Sequence, residues 1–266
     1  MGLLKLIWCE IYKYKRNKIF PILTSLSFLF PAALIIFTRS DRIKASTTAE
    51  FHAYYDSLFN NNLVYSSLLL LPCLFGCISA ILFFSERDYD TFKNLRVIPV
   101  TRNELIFAKL AVIYVWSEIY SICSVLSVTL FCFILEPLAV YDVLFKLLCA
   151  MTAGVTMATV SLPIVVIVIY MNQSYLLSLL LSFMYTVINW LLFILFASND
   201  SLLLWLPLMN GLMFASRLWS WRKAVLGMSD LIPLPLDIYV HVVLYLLVVF
   251  LICVFLIIHF YKKWSR

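Results

Sequence analysis

The side chains able to do chemistry are few and scattered. Glu118 lies deep inside an apolar run, and an ionisable group at membrane depth is a functional candidate by default. Its plain alternative is a neutral carboxyl bonded to a neighbouring helix or reaching the aqueous interface. Cys73 and Cys77 stand at i and i+4 on one helical face, but no nearby His or carboxylate completes a tetrahedral ligand set, so packing is expected and a metal is not. His52, His241 and His259 lack the H-E-x-x-H neighbours of a zinc hydrolase, and no paired glutamates occur. The five glycines, Gly2, Gly76, Gly154, Gly211 and Gly227, leave no G-x-x-x-x-G-K-[ST] phosphate loop. The densest charge lies in Ser85 to Lys109, SERDYDTFKNLRVIPVTRNELIFAK, and its chemistry is recognition rather than catalysis.

The elements that must position these residues follow from composition. The chain has 266 residues, 64% hydrophobic and 13% charged, with a mean hydropathy of +0.99. Soluble domains run to roughly 45–50% apolar and about 25% charged. A self-contained cytosolic enzyme, a disordered chain and a secreted disulfide scaffold are thereby excluded. A spanning helix needs about 20 mostly apolar residues, and six such runs occur, at 19–37, 63–84, 105–135, 143–170, 175–197 and 238–261. The expectation is one all-α polytopic membrane domain over 1–266. The formal charge of +6 resides mainly at the ends of apolar runs, where it orients a membrane chain; nucleic acid is not an expected partner.

Residues 1–18 read as an amphipathic interfacial helix, with Leu3, Leu4, Ile7, Trp8, Ile11 and Tyr14 on one side and Lys5, Cys9, Lys13 and Arg16 on the other. With six spans, Lys5, Lys13, Lys15, Arg16, Lys18, Arg87, Lys93, Arg96, Arg102, Lys262, Lys263 and Arg266 share one side. Arg39, Arg42, Lys44, Arg217, Arg222 and Lys223 fall on the other. Twelve against six predicts both termini in the cytoplasm and membrane lipids as partners of the basic face. Residues 38–62 read as an outer polar loop. The run Ser201 to Ala215 is too short to cross and Pro207 interrupts it, so 198–237 is expected to be an external re-entrant or interfacial helical pair. Trp205, Trp219 and Trp221 would then sit at headgroup depth. Lys146 is expected to snorkel to the interface, Asn189 to bond a neighbouring helix, and His241 to cap or pack.

The segment 85–104 carries two helix signals in succession. Tyr89, Phe92 and Leu95 recur every three residues, with Glu86, Arg87, Asp88, Asp90, Lys93, Asn94 and Arg96 on the other faces. Pro99 stops that helix. Thr101 and Glu104 then have capping-box spacing and open the next one. A short amphipathic helix joining two spans suits docking in a groove of a soluble partner; a solvated loop bearing ordinary positive-inside charge is the other reading.

This stretch resembles the signature loop of ABC-2 type transporter permeases. In them a glutamate after the second span precedes a Gly-Thr pair, a leucine, a Pro-Val/Ile-Ser/Thr-Arg run and a lysine entering the third span. Glu86, Thr91, Leu95, Pro99, Val100, Thr101, Arg102 and Lys109 match in order, and Asp90 stands where the family has glycine. The resemblance implies a permease that pairs with ABC ATPase subunits and a second permease, identical or homologous. Glu86, Arg87, Asp88, Tyr89, Asp90, Thr91, Phe92, Leu95, Arg96, Pro99 and Arg102 would form the coupling surface. It implies no cofactor on this chain, with ATP and Mg on the partner ATPase. The small size and the YKYKRNK run resemble lantibiotic-immunity and bacitracin-resistance exporters. These imply an amphipathic peptide or lipid-like substrate and the cell membrane of a Gram-positive bacterium. A secondary transporter or an intramembrane lipid- or protein-processing enzyme is the alternative. Glu118 alone offers the first a mid-span charge, and nothing clusters for the second.

Overall fold

A computed structural model describes residues 2–15, 18–38, 47–88, 101–171, 174–196, 199–228 and 236–264. The described elements are helical. Helix α1 is Leu3–Lys15, α2 Ile19–Phe37, and α3 joins Thr48–Asn62, a π-helical Leu63–Leu70 and Leu71–Asp88. Helix α4 is Arg102–Leu135, α5 is Val143–Met171 with a break at Ser161, and α6 is Tyr175–Phe196. Asp200–Leu203 forms the short α7, Pro207–Val225 forms α8 and Leu236–Trp264 forms α9. Six of these helices, α2 to α6 and α9, are long and apolar enough to cross a membrane.

Burial divides those six. In α3 and α5, 78% and 72% of the apolar window is buried, against 17–28% in α2, α6 and α9. Helices α3 and α5 therefore form the interior with one face of α4, while α2 packs on α4, α6 on α3 and α9 on the second half of α5. The outward faces of the peripheral helices carry large apolar side chains such as Phe37, Leu176 and Phe255, as a lipid-facing surface requires.

The second spanning helix starts well before the expected Leu63. Thr47 accepts from the Glu50 amide while the Glu50 side chain accepts from the Thr47 amide, a complete capping box. The part of 38–62 expected to be an outer loop is thus helix from Thr48 onward. Thr48–Ser85 is 38 residues, roughly 57 Å of helix against about 30 Å of hydrocarbon. Its first half must project beyond the apolar core.

The π-helical turn lies where that projection meets the span. The Leu71 amide reaches back to the Ser66 carbonyl, and the Ser66 hydroxyl lies 3.2 Å from both Tyr120 Oη and Ser124 Oγ on α4. Ser124 in turn donates to Asn62 Oδ1 at 3.0 Å. These buried hydroxyls satisfy one another across two helices, which holds α3 and α4 in one register.

In α1 the side packed against α4 carries the buried Leu6 and Glu10, while Leu4 and Trp8 of the apolar side are 81% and 69% exposed. Trp219 is fully buried, packed edge-on against Phe59 and close to Tyr141 and Phe145. Asn189 corrects an expectation: its amide donates to Tyr185 O of its own helix rather than to a neighbouring one, the carbonyl one turn back being within reach. His241 packs edge-on against Trp205. The run Ser201 to Ala215 is interrupted just before Pro207, which begins α8, since proline at the first turn lacks only an amide that would go unbonded anyway.

Candidate coupling site at the junction of the second and third spans

The described parts of this site are the two helix ends that flank the charged segment. Helix α4 opens with the capping box: the Thr101 amide donates to Glu104 Oε2 at 2.8 Å, and the Glu104 amide donates to Thr101 Oγ1 at 3.3 Å. Arg102, its first residue, is exposed. Glu86, Arg87 and Asp88 belong to the last turn of α3. Tyr89, Asp90, Thr91, Phe92, Leu95, Arg96 and Pro99 lie outside the described residues.

Beneath that segment a cation fastens three helices. Leu105, Ile106, Lys109, Leu110 and Ile113 form the buried stripe of α4, so the helical period forces Lys109 inward. Its ammonium donates to the Leu82 carbonyl of α3, lies 5.5 Å from the Phe83 ring centroid, and stands 3.9 Å from Glu10 Oε2 of α1. Glu10 also approaches Lys13 at 3.9 Å. The end of α3, the start of α4 and the interfacial helix are thus joined through one fully buried ammonium. A buried ion requires such partners, and here they come from all three elements.

Glu118 is placed elsewhere. It sits nine residues beyond Lys109, about 14 Å along α4, and is half-buried against Gly154 of α5. Neither of its carboxyl oxygens has a hydrogen-bond partner among the described residues. The adjacent Ser117 hydroxyl donates to the Gly154 carbonyl at 2.9 Å. A Cβ on Gly154 would come 2.6 Å from Glu118 Oε1, so the acid occupies the space that glycine leaves.

Sequence reasoning missed a second charged centre at the opposite end of the spans. Lys146, expected to snorkel, is fully buried and donates to Asp56 Oδ1 at 2.9 Å. The ring centroids of Tyr55, Tyr141, Trp219 and Phe59 surround its ammonium at 3.4, 4.3, 4.6 and 5.6 Å. Tyr141 lies between spans, where burial and then the Asp56 carboxylate push its phenol above its ordinary range. Tyr55, Asp56 and Phe59 are adjacent on the projecting half of α3, so recognising that half as helix would have exposed the pattern. Among the described residues no group of His, Cys, Asp and Glu could hold a metal ion.

A family model described as ABC-2 family transporter protein matches residues 6–189. The chain belongs to this family. No curated protein matches it. The matched region runs from α1 into α6 and includes the Lys109 junction, Glu118 and Lys146. This ABC-2 protein is a multi-pass membrane permease of an ABC transporter, a transport subunit rather than an ATPase, and its family pairs with an ABC ATPase.

Proposed function

We propose that Glu86 to Arg102 is the surface on which the ATPase docks, and that its movement reaches the membrane through Lys109. The observation that carries this reading is the shared ammonium: one buried cation bonds the Leu82 carbonyl on one flank of the segment, belongs to the helix on the other, and pairs with Glu10 of the interfacial helix. A docked partner that displaces the segment then moves α1, α3 and α4 as a unit, without chemistry on this chain. ATP and Mg act on the partner. The permease works with a second permease chain, and both termini lie in the cytoplasm, in agreement with the placement of basic residues.

The substrate in this reading is an amphipathic antimicrobial peptide of the lantibiotic or bacitracin type, or a lipid-like molecule, expelled from the cell membrane of a Gram-positive bacterium for self-immunity or resistance. The apolar groove of about 330 Å³ lined by Ile11, Phe20, Pro21, Val112, Trp116 and Ile119 suits an apolar moiety entering from the bilayer. The test is the assembled complex in nanodiscs. Glu86→Ala or Arg102→Ala should abolish stimulation of the partner's ATPase and transport while the permease stays folded; normal stimulation and transport in both variants would overturn the coupling role.

A further inference from the structure

Between the projecting half of α3 and the end of α8 lies a cavity of about 770 Å³ lined by polar groups, among them His52, Asp56, Ser57, Asn60, Asn61 and Lys223. We propose that it binds an oxyanion headgroup, phosphate in character, with Lys223 as the charge partner and the Asn60, Asn61 and Ser57 side chains as hydrogen-bond donors.

The charges on its wall decide the sign. Asp56 is already held by the buried Lys146. Asp142 is taken by Arg222, whose Nε and Nη2 donate to its two oxygens at 2.6 and 3.3 Å. Lys223, the next residue, is half-buried on the cavity wall and has no carboxylate partner among the described residues. The wall is left with one uncompensated cation and with amide and hydroxyl donors, a set that suits phosphate oxygens. His52, its ring tilted 37° to that of Tyr141 with centroids 4.5 Å apart, adds a further donor.

The α8 wall is built to stay in place. The Met228 amide donates to the Lys223 carbonyl at 3.0 Å and the Gly227 amide to the Ala224 carbonyl at 3.1 Å, with Gly227 at φ +71°. This is a Schellman ending, which glycine permits without strain. It occupies carbonyls whose negative ends would otherwise repel an anion. The Arg222–Asp142 pair ties the same turn to the start of α5.

Phosphate oxygens can come from an anionic lipid or from free phosphate, and one experiment separates the two. Full-length protein is placed in nanodiscs of equal phosphatidylglycerol and phosphatidylcholine, released, and its retained lipids are counted by native mass spectrometry. Inorganic phosphate is titrated separately and followed by ³¹P line broadening. Loss of one charge-assisted contact predicts about a tenfold loss of binding in Lys223→Gln, retention in Lys223→Arg, and a comparable loss in Asn60→Asp. The Lys223 side chain makes no hydrogen bond or ion pair among the described residues, so an unchanged melting temperature in Lys223→Gln shows that the variant remains folded. Lys223-dependent retention of phosphatidylglycerol assigns the lipid headgroup; a Lys223-dependent phosphate response without lipid preference assigns the free anion. Binding of both probes that is absent or indifferent to Lys223 and Asn60 overturns the proposal. The cavity is remote from the α3–α4 junction, so either result leaves the coupling reading standing.

Discussion

Lys146 and Asp56, 90 residues apart in the chain, meet at 2.9 Å inside a box of four aromatic rings. The pair anchors the projecting half of α3 to the start of α5, while Trp219 of α8 closes one side. A lysine near the end of a span ordinarily reaches water with its ammonium. Here the carboxylate and the ring faces replace that water, which a buried ammonium requires.

Removing one member of this pair should be worse than removing both. Lys146→Met leaves the Asp56 carboxylate buried and unpaired and is expected to destabilise the protein by about 3–5 kcal/mol. The double variant Lys146→Met, Asp56→Leu should recover a large part of that loss. Denaturant melts in detergent of the two single variants and the double variant read the coupling directly.

Gly154→Ala should force Glu118 out of its place, since the new Cβ would lie 2.6 Å from Oε1. Overpacking of this kind typically costs about 1–3 kcal/mol. Adding Glu118→Ala should relieve the cost, whereas Glu118→Gln, equally large, should not. Thermal stability of the four proteins separates the steric account from any requirement for the charge.

The spans were legible because hydropathy is local: Ile19–Phe37 is the expected 19–37, and the cap of α4 could be read from Thr101 and Glu104 alone. What escaped the sequence was long-range. Residues 38–62 read as a polar loop, although Thr47 and Glu50 spell the cap of α3. With Asp56 in a loop, Lys146 has no visible partner in the sequence. Tryptophan's preference for interfaces predicts headgroup depth for Trp219; its enclosure by Phe59, Tyr141 and Phe145 comes from the packing of α8 and has no local signature. Lys109 could be matched to a motif, but its bond to a backbone carbonyl at Leu82 has no side-chain signature. The residues 89–100 of the coupling segment lie outside the described structure, so their roles rest on the sequence.

Tyr120→Phe should loosen the π-helical register of α3. It removes the hydroxyl beside Ser66, and inter-helix hydrogen bonds in membranes contribute about 0.6–2 kcal/mol. The variant should unfold at a correspondingly lower denaturant concentration, with faster hydrogen exchange over Leu63–Leu70 than over Leu105–Ile113.

Lys109→Ala should impair coupling more than Glu10→Gln. The first removes the contacts to both Leu82 and Glu10, a loss of about 1–3 kcal/mol for the charge-assisted bond to the carbonyl; the second leaves the bond to Leu82 in place. Stimulated ATPase of the assembled complex, compared with the amount of complex recovered, distinguishes lost coupling from lost assembly.

The most direct test of the coupling account is an affinity pull-down from the native membrane under gentle extraction, with wild type set beside a Glu86→Ala, Arg102→Ala double variant. The account predicts that a soluble ATPase copurifies with the wild type and is lost from the variant or retained without stimulation. A wild-type sample with no nucleotide-binding partner, or a variant that binds and stimulates the ATPase as the wild type does, would contradict it.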